Sequence, residues 1–306
     1  MTAEISWRKL GLLYAPEGRH PKLATHAANP MAVPLEDDVF RVFFSGRDAQ
    51  NRSSVGCVDI DIVRRKVLRT CDAPVFEHGR DGSFYSHGVS LGNWYIAGGR
   101  AYVTFMGWQR PPGGHWRGDI GRLIMKPDYS LVADGQEPFM GADETDPVSL
   151  SYPWVVRHLS GYRMWYGSTV TWDAGNGEML HVIQYATSHD GHVWNRHGPA
   201  VPHEIGTAQA FSRPAVLLGP DARYHMWFSF RSGAGETYRI GYAVSGGGKQ
   251  WELRLGQSGI APSSSGWDSE MIEYPFVFEH AGEWFMLYNG NGYGETGFGL
   301  AVLEVA

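Results

Sequence analysis

The sequence predicts an all-β protein, a five-bladed β-propeller whose last blade is completed by the N-terminal strand. Three observations carry that expectation. Strand-like text recurs five times at a spacing of 60–62 residues. The composition suits tight turns and half-buried strands, with 40 glycines, 13% aromatic and 19% charged residues. The opening of the chain also resembles the one run that the last repeat lacks.

The repeat is anchored by Phe44, Phe105, Tyr166, Phe228 and Tyr288, separated by 61, 61, 62 and 60 residues. Each closes a short apolar run: "RVFFSG", "YVTFMG", "RMWYGS", "HMWFSF" and "FMLYNG". A second run follows in each unit: "SVGCVDI", "DIGRLIM", "HVIQYAT", "RIGYAVS" and "GFGLAVL". Upstream stands a third, entered through Pro30, Pro153, Pro214 and Pro275 in four units and written "GVSLGNW" in the second. A fourth run ends some units, as in "DGHVWNRHG" and "GGKQWELRL". Four strands repeated around a ring define a propeller. Met164, Trp165, Met226 and Trp227, inside these runs, read as packing between blades. The fifth unit stops after three runs, and "WRKLG" at 7–11 resembles "WNRHG" at 194–198. Pairing the first strand with the last would remove an exposed sheet edge. The expectation is one domain over residues 1–306.

The totals exclude several classes. A net charge of −6 without a basic block argues against nucleic acid. No 18-residue apolar run suggests a membrane span, and the N-terminus lacks a signal-peptide pattern. A cytoplasmic protein is the expectation. Two cysteines, Cys57 and Cys71, offer neither a disulfide framework nor zinc-site spacing. Neither a nucleotide-binding glycine motif nor a P-loop, HExxH or CxxC is present, so no cofactor or metal is expected. Oligomeric state is not legible.

In a propeller blade the inner strand crosses from one face to the other and the second strand returns. Loops before inner strands therefore share a face with loops between second and third strands, which here are long and glycine-rich. That face collects His26, Asn29, Arg47 and Asp48 from the first unit, and His87 and Trp108 from the second. Asp146, Trp172 and Asp173 follow in the third; Glu204, Arg213 and Arg231 in the fourth. The fifth supplies Asp268, Glu270, Glu273, Asn289 and Asn291.

Among these stretches "FSGRD", "SRP", "GWDSEMIEYPFVF" and "LYNGNGYGETGFGLAV" resemble the five-bladed glycosidase superfamily. That group includes arabinanases and β-xylosidases, invertases and levansucrases, and β-mannoside phosphorylases. More narrowly, the chain is similar to glycosidase-like proteins of polysaccharide or natural-product biosynthesis, over about residues 5–306. The resemblance implies an early acid on the first inner strand and a later glutamate as proton donor. This sequence has Asn29-Pro30 where the early acid often stands, and an amide cannot act as a base.

The catalytic candidates are therefore Asp48, Glu204, Glu270 and Glu273. Glu270 and Glu273, three apart in extended chain, cannot point the same way; Glu273, on the strand, is the expected desolvated acid. Asp48 is the expected ionised partner, or else caps its tight loop beside Arg47. Glu204 is either a proton donor or a solvated loop acid, and Asp146 either tunes a neighbour or opens a turn. His26, Asn29, Arg47, His87, Arg213, Arg231 and Asn291 are expected to bind substrate, with Trp108 and Trp172 stacking on sugar rings. Arginine forks suit carboxylate or phosphate, or buried pairs with Asp48 and Glu273. "SHDGHVW" resembles the Asp-box turn of sialidases, which is structural. Three functions compete: hydrolysis of a small sugar conjugate, neutral or anionic; phosphorolysis, in which phosphate replaces the lost base; and sugar binding in a remodelled biosynthetic protein without glycosidase chemistry.

Overall fold

The computed structural model describes residues 5–233 and 235–305. Strand β1 (Ile5–Tyr14) comes first and is taken up last. The first unit is β2 (Thr25–Glu36), β3 (Val39–Arg47), β4 (Ser53–Asp61) and β5 (Lys66–Thr70). The second is β6 (Gly88–Ala97), β7 (Arg100–Gln109), β8 (Arg117–Met125) and β9 (Leu131–Ala133). The third is β10 (Ser149–His158), β11 (Gly161–Thr171), β12 (Leu180–Ser188) and β13 (Asn195–Pro199). The fourth is β14 (Gln209–Leu218), β15 (Tyr224–Arg231), β16 (Arg239–Ser245) and β17 (Glu252–Leu253). The fifth holds β18 (Glu273–His280), β19 (Glu283–Asn289) and β20 (Phe298–Val305), with β1 beyond β20.

Within each unit the strands pair antiparallel and in order. The first two units join into one eight-stranded sheet through a single parallel bridge, Ser53 to Gly88. No helix among the described residues is long and apolar enough to cross a membrane.

Hydrogen bonds link the inner strands of neighbouring units. Trp94 Nε1 donates to Ala32 O across units one and two, at 3.0 Å. Asn93 and the Val155 backbone exchange two bonds of 2.8 Å across units two and three. Trp154 Nε1 donates to Val216 O across units three and four, at 2.9 Å. Arg213 ties unit four to the Tyr274 carbonyl in unit five. Asn289 closes the sequence, accepting from Asn29 N and donating to Ala27 O in unit one. Between the sheets lies the aromatic core; Met164, Trp165, Met226 and Trp227 are all buried.

β1 pairs β20 from Ile5↔Val305 to Tyr14↔Phe298. Its Trp7 is buried and meets the Trp227 ring edge-on at 5.3 Å. Deleting residues 5–14 would strip this ladder and a buried tryptophan, whose loss alone costs about 3–5 kcal/mol. A fall in melting temperature of roughly 10 °C or more is expected by calorimetry.

One expectation is overturned. Cys57 and Cys71 form a disulfide, which ties β4 to the chain just past β5. The two lie 14 residues apart, but the β4–β5 hairpin brings them face to face, and Cys71 N donates to Cys57 O. A count of two could not reveal that pairing.

Candidate active site

All five inner strands carry the same irregularity. Their ladders slip between Ala28 and Met31, Leu91 and Trp94, Ser151 and Trp154, Ser212 and Ala215, and Glu273 and Phe276. In four of them the residue before the proline has positive φ: Asn29 at 53°, Tyr152 at 36°, Arg213 at 47° and Tyr274 at 52°. A pre-proline residue prefers extended backbone, so each of these is strained by about 1–3 kcal/mol. Such bulges bend a strand and re-aim its side chains. Here they gather the inner-strand ends around one cavity of about 660 Å³, within the range of small-molecule sites.

The repeat register explains the cavity floor. Ala28, Ser90, Ser151 and Ser212 stand at matching positions, paired with Ser45, Met106, Gly167 and Ser229, and all four line the cavity. The fifth unit has Glu273 in that slot, paired with Asn289. Four small side chains leave room there, while the long acid in the fifth slot is buried and is not among the lining residues. Glu273 is fully buried, and neither of its oxygens has a hydrogen-bond partner. Burial raises its pKa well above the usual value, against the opposing pull of Arg47, Arg231 and Arg213. Burial therefore favours the protonated form of this carboxyl.

The wall is cationic and aromatic. Arg47, Arg110 and Arg231 line it, and no aspartate or glutamate does among the described residues. The Arg47 guanidinium bonds the neutral Asn51 side chain at 3.0 Å. Arg231 pairs with Glu178 at 2.9 Å and lies 4.6 Å over the Tyr238 ring, yet its Nε is buried without a partner. Asn29 Nδ2 and Ser45 Oγ, also on the wall, are likewise buried and unpartnered. Tyr152 and Tyr274 meet at 3.4 Å between hydroxyls.

Five of the expected binding residues line this cavity: Asn29, Arg47, His87, Trp108 and Arg231. Trp108 is held by its Nε1 bond to Ser53, and His87 Nδ1 accepts from Arg110 N. Others stand behind the wall. Trp172 does not line it but backs two residues that do, stacking on His115 at 4.7 Å and meeting Trp116 edge-on at 4.8 Å. His26 is near Thr25 and Arg47; burial first, then the Arg47 charge, lowers its pKa to about 4, so it is neutral. Asn291 organises a turn, accepting from Glu270 N and Met271 N and donating to Gly266 O.

None of the four candidate acids is among the residues that line the cavity. Asp48 is committed to its own loop: it accepts from the backbone N–H of Gln50 and Arg52 and from Arg52 Nε. Those bonds outweigh desolvation and lower its pKa, so it is ionised but facing the wrong way. Its arginine is Arg52, not Arg47. Glu204 and Glu270 are exposed. Arg213 is within the ring but 1% exposed, donating to the carbonyls of Tyr274 and Pro30 rather than into the cavity. Asp146 is buried and accepts from Tyr166, Gln184 and Arg196, a structural node rather than a turn opener.

Sequence reasoning missed His115, Trp116, His181, Tyr152 and Tyr238 on the wall. His181 is pinned between Ser151 and Thr169 at 2.7 Å each, and burial lowers its pKa to about 3. Tyr152 had a signal, its place before Pro153 in the 61-residue register. His181 lies inside a strand run and had none.

The fold is the β-propeller fold that solved glycosidases share. A solved glycoside hydrolase superposes with a TM-score of 0.78 at 14% identity, covering 98% of this chain and 92% of that one. A structure reported for the GH130 family of mannoside phosphorylases, with glycoside hydrolases that target β-1,2-mannosidic linkages in Candida mannan, gives 0.68 at 12% identity, covering 98% and 94%. The endo-arabinase from Bacteroides thetaiotaomicron gives 0.62 at 12%, covering 94% and 96%. Identities this low speak to fold alone. No protein-family model matches the chain. The chain belongs to the family of the uncharacterized Mycobacterium tuberculosis proteins MT1551 (strain CDC 1551 / Oshkosh) and Rv1502 (strain H37Rv), being 43% identical to each over 302 residues, 98% of this chain and 100% of theirs.

Proposed function

We propose that residues 1–306 form a single five-bladed propeller, closed by its N-terminal strand, and act as a glycosidase-like enzyme on a small anionic sugar conjugate. The carrying observation is Glu273: the one acid at a register position that small residues hold in the other four units, fully buried, unpartnered, and with its protonated form favoured by burial. A neutral carboxyl beside a glycosidic oxygen is a general acid. It gives its proton to the leaving oxygen as the bond to the anomeric carbon breaks.

A glycosidase that hydrolyses with two protein carboxyls needs a second one facing the first, and Asp48, Glu204 and Glu270 do not supply it. That favours a second reading, phosphorolysis. A phosphate oxygen would form the new bond to the anomeric carbon, giving a sugar 1-phosphate and the free alcohol, with Glu273 reprotonated from solvent. A panel of glycosyl conjugates, assayed with and without phosphate by NMR, tests both. Turnover that needs phosphate selects phosphorolysis; turnover without it selects hydrolysis. Binding of sugars with no turnover selects a remodelled, non-catalytic funnel, and full activity of Glu273→Gln sinks the role given to that acid. The cytoplasmic placement expected from the N-terminus is opposed by the Cys57–Cys71 disulfide, since such bonds are rare in reducing compartments.

A further inference from the structure

We infer that the cavity wall between Arg47 and Arg231 is an oxyanion subsite, and that it takes a phosphate ester borne by the ligand. The inference rests on reading this cavity as the sugar site, and adds the charge and chemistry of what enters it.

Charge is the first ground. Arg47, Arg110 and Arg231 face the cavity, and Glu178 is the one acid paired with any of them. Arg47 has the neutral amide of Asn51, and the Arg110 guanidinium has no hydrogen-bond or ion-pair partner among the described residues. Two guanidinium charges are thus left without a counter-charge around a partly enclosed space. No aspartate or glutamate among the described residues lines the cavity beside them. Uncompensated like charges lining one cleft repel one another, and an entering anion relieves them.

Unused donors are the second ground. Arg231 Nε and Asn29 Nδ2 are buried on this wall without partners, as is the Ser45 hydroxyl. Asn29 and Ser45 are each 2% exposed and both line the cavity, Ser45 pairing with Ala28, the residue before Asn29. A buried donor left unpaired costs about 1–3 kcal/mol. Three on one wall beside two free arginine charges match the several acceptor oxygens of a phosphate group. A phosphate ester is close to doubly charged at neutral pH, which balances two guanidinium ions; a sugar carboxylate, with one charge, balances half.

The test is binding, which needs no turnover. Isothermal titration would use inorganic phosphate, a hexose phosphate, the matching hexuronate and the matching neutral methyl glycoside. The expected order places both phosphates about tenfold or more tighter than the hexuronate and the neutral glycoside. Arg47→Gln should weaken phosphate about tenfold with little change for the neutral sugar. Arg110→Gln, at an exposed position, should weaken phosphate in the same direction without risk to the fold. Equal binding of the neutral glycoside, equal or tighter binding of the hexuronate, no phosphate binding, or indifference to both substitutions would each overturn the phosphate subsite. Phosphate binding with no glycosyl conjugate ever turned over would leave the subsite standing and remove the enzymatic reading instead.

Discussion

Replacing Arg213 with methionine is expected to lower the unfolding free energy by about 3 kcal/mol, measured by urea denaturation. Methionine keeps the apolar bulk against Phe276, whose ring lies 5.9 Å from the guanidinium carbon. What it loses is the pair of bonds to the Tyr274 and Pro30 carbonyls, which join units four, five and one. Both carbonyls lie beside strained or bulged backbone and would be left without a donor. Removing a buried charge returns part of that loss, because its desolvation disappears; the two stranded acceptors outweigh it. Burial lowers the guanidinium pKa to about 9, which still leaves it charged at neutral pH. Arg213→Lys, reaching one carbonyl, should fall between. Since Tyr274 follows Glu273, turnover should drop with stability in the methionine variant, whereas a variant unchanged in both would show that the axial staple is idle.

Glu273→Gln is expected to move activity and stability in opposite directions. Removing proton donation slows turnover by about 10²–10⁴-fold with binding largely kept. Stability should rise instead. The folded-state pKa of Glu273 is raised, so its favourable contribution is complete below the ordinary value of 4.5 and is lost as pH climbs toward the folded value. Glutamine does not titrate. The variant should therefore melt higher than the parent at pH 7, with the gap closing near pH 4. A gap that persists at pH 4 would mean that packing, not ionisation, separates them.

The sequence made the strands legible because each repeats in five copies, and a shared register is hard to counterfeit. Its grouping of Pro30, Pro153, Pro214 and Pro275 also located the inner strands. The site was read less well. Asn29, Arg47, His87, Trp108 and Arg231 line the cavity on the face where they were expected, because loop placement follows from strand direction. Asp48 was left with two readings because direction within a tight loop depends on hydrogen bonds four residues away, to Arg52, and the loop-capping one is what the structure has. Glu270 and Glu204 are exposed and do not line the cavity, a distinction that linear spacing does not carry. The disulfide was invisible for a related reason: hairpin register decides it.

The seam between β1 and β20 has a temporal side. Ile5 meets Val305, so the two edges of that seam leave the ribosome about 300 residues apart. At 5–20 residues per second that interval is roughly 15–60 s. During it the first strand has no partner, and four units can form while the fifth is unfinished. Local hairpins form in microseconds, so the ring's assembly is set by translation up to that moment and by one long-range docking step afterwards. That step carries a high contact order and should appear as the slow phase of refolding. Until it happens, the waiting edge of β1 is the place where two nascent copies would pair with each other.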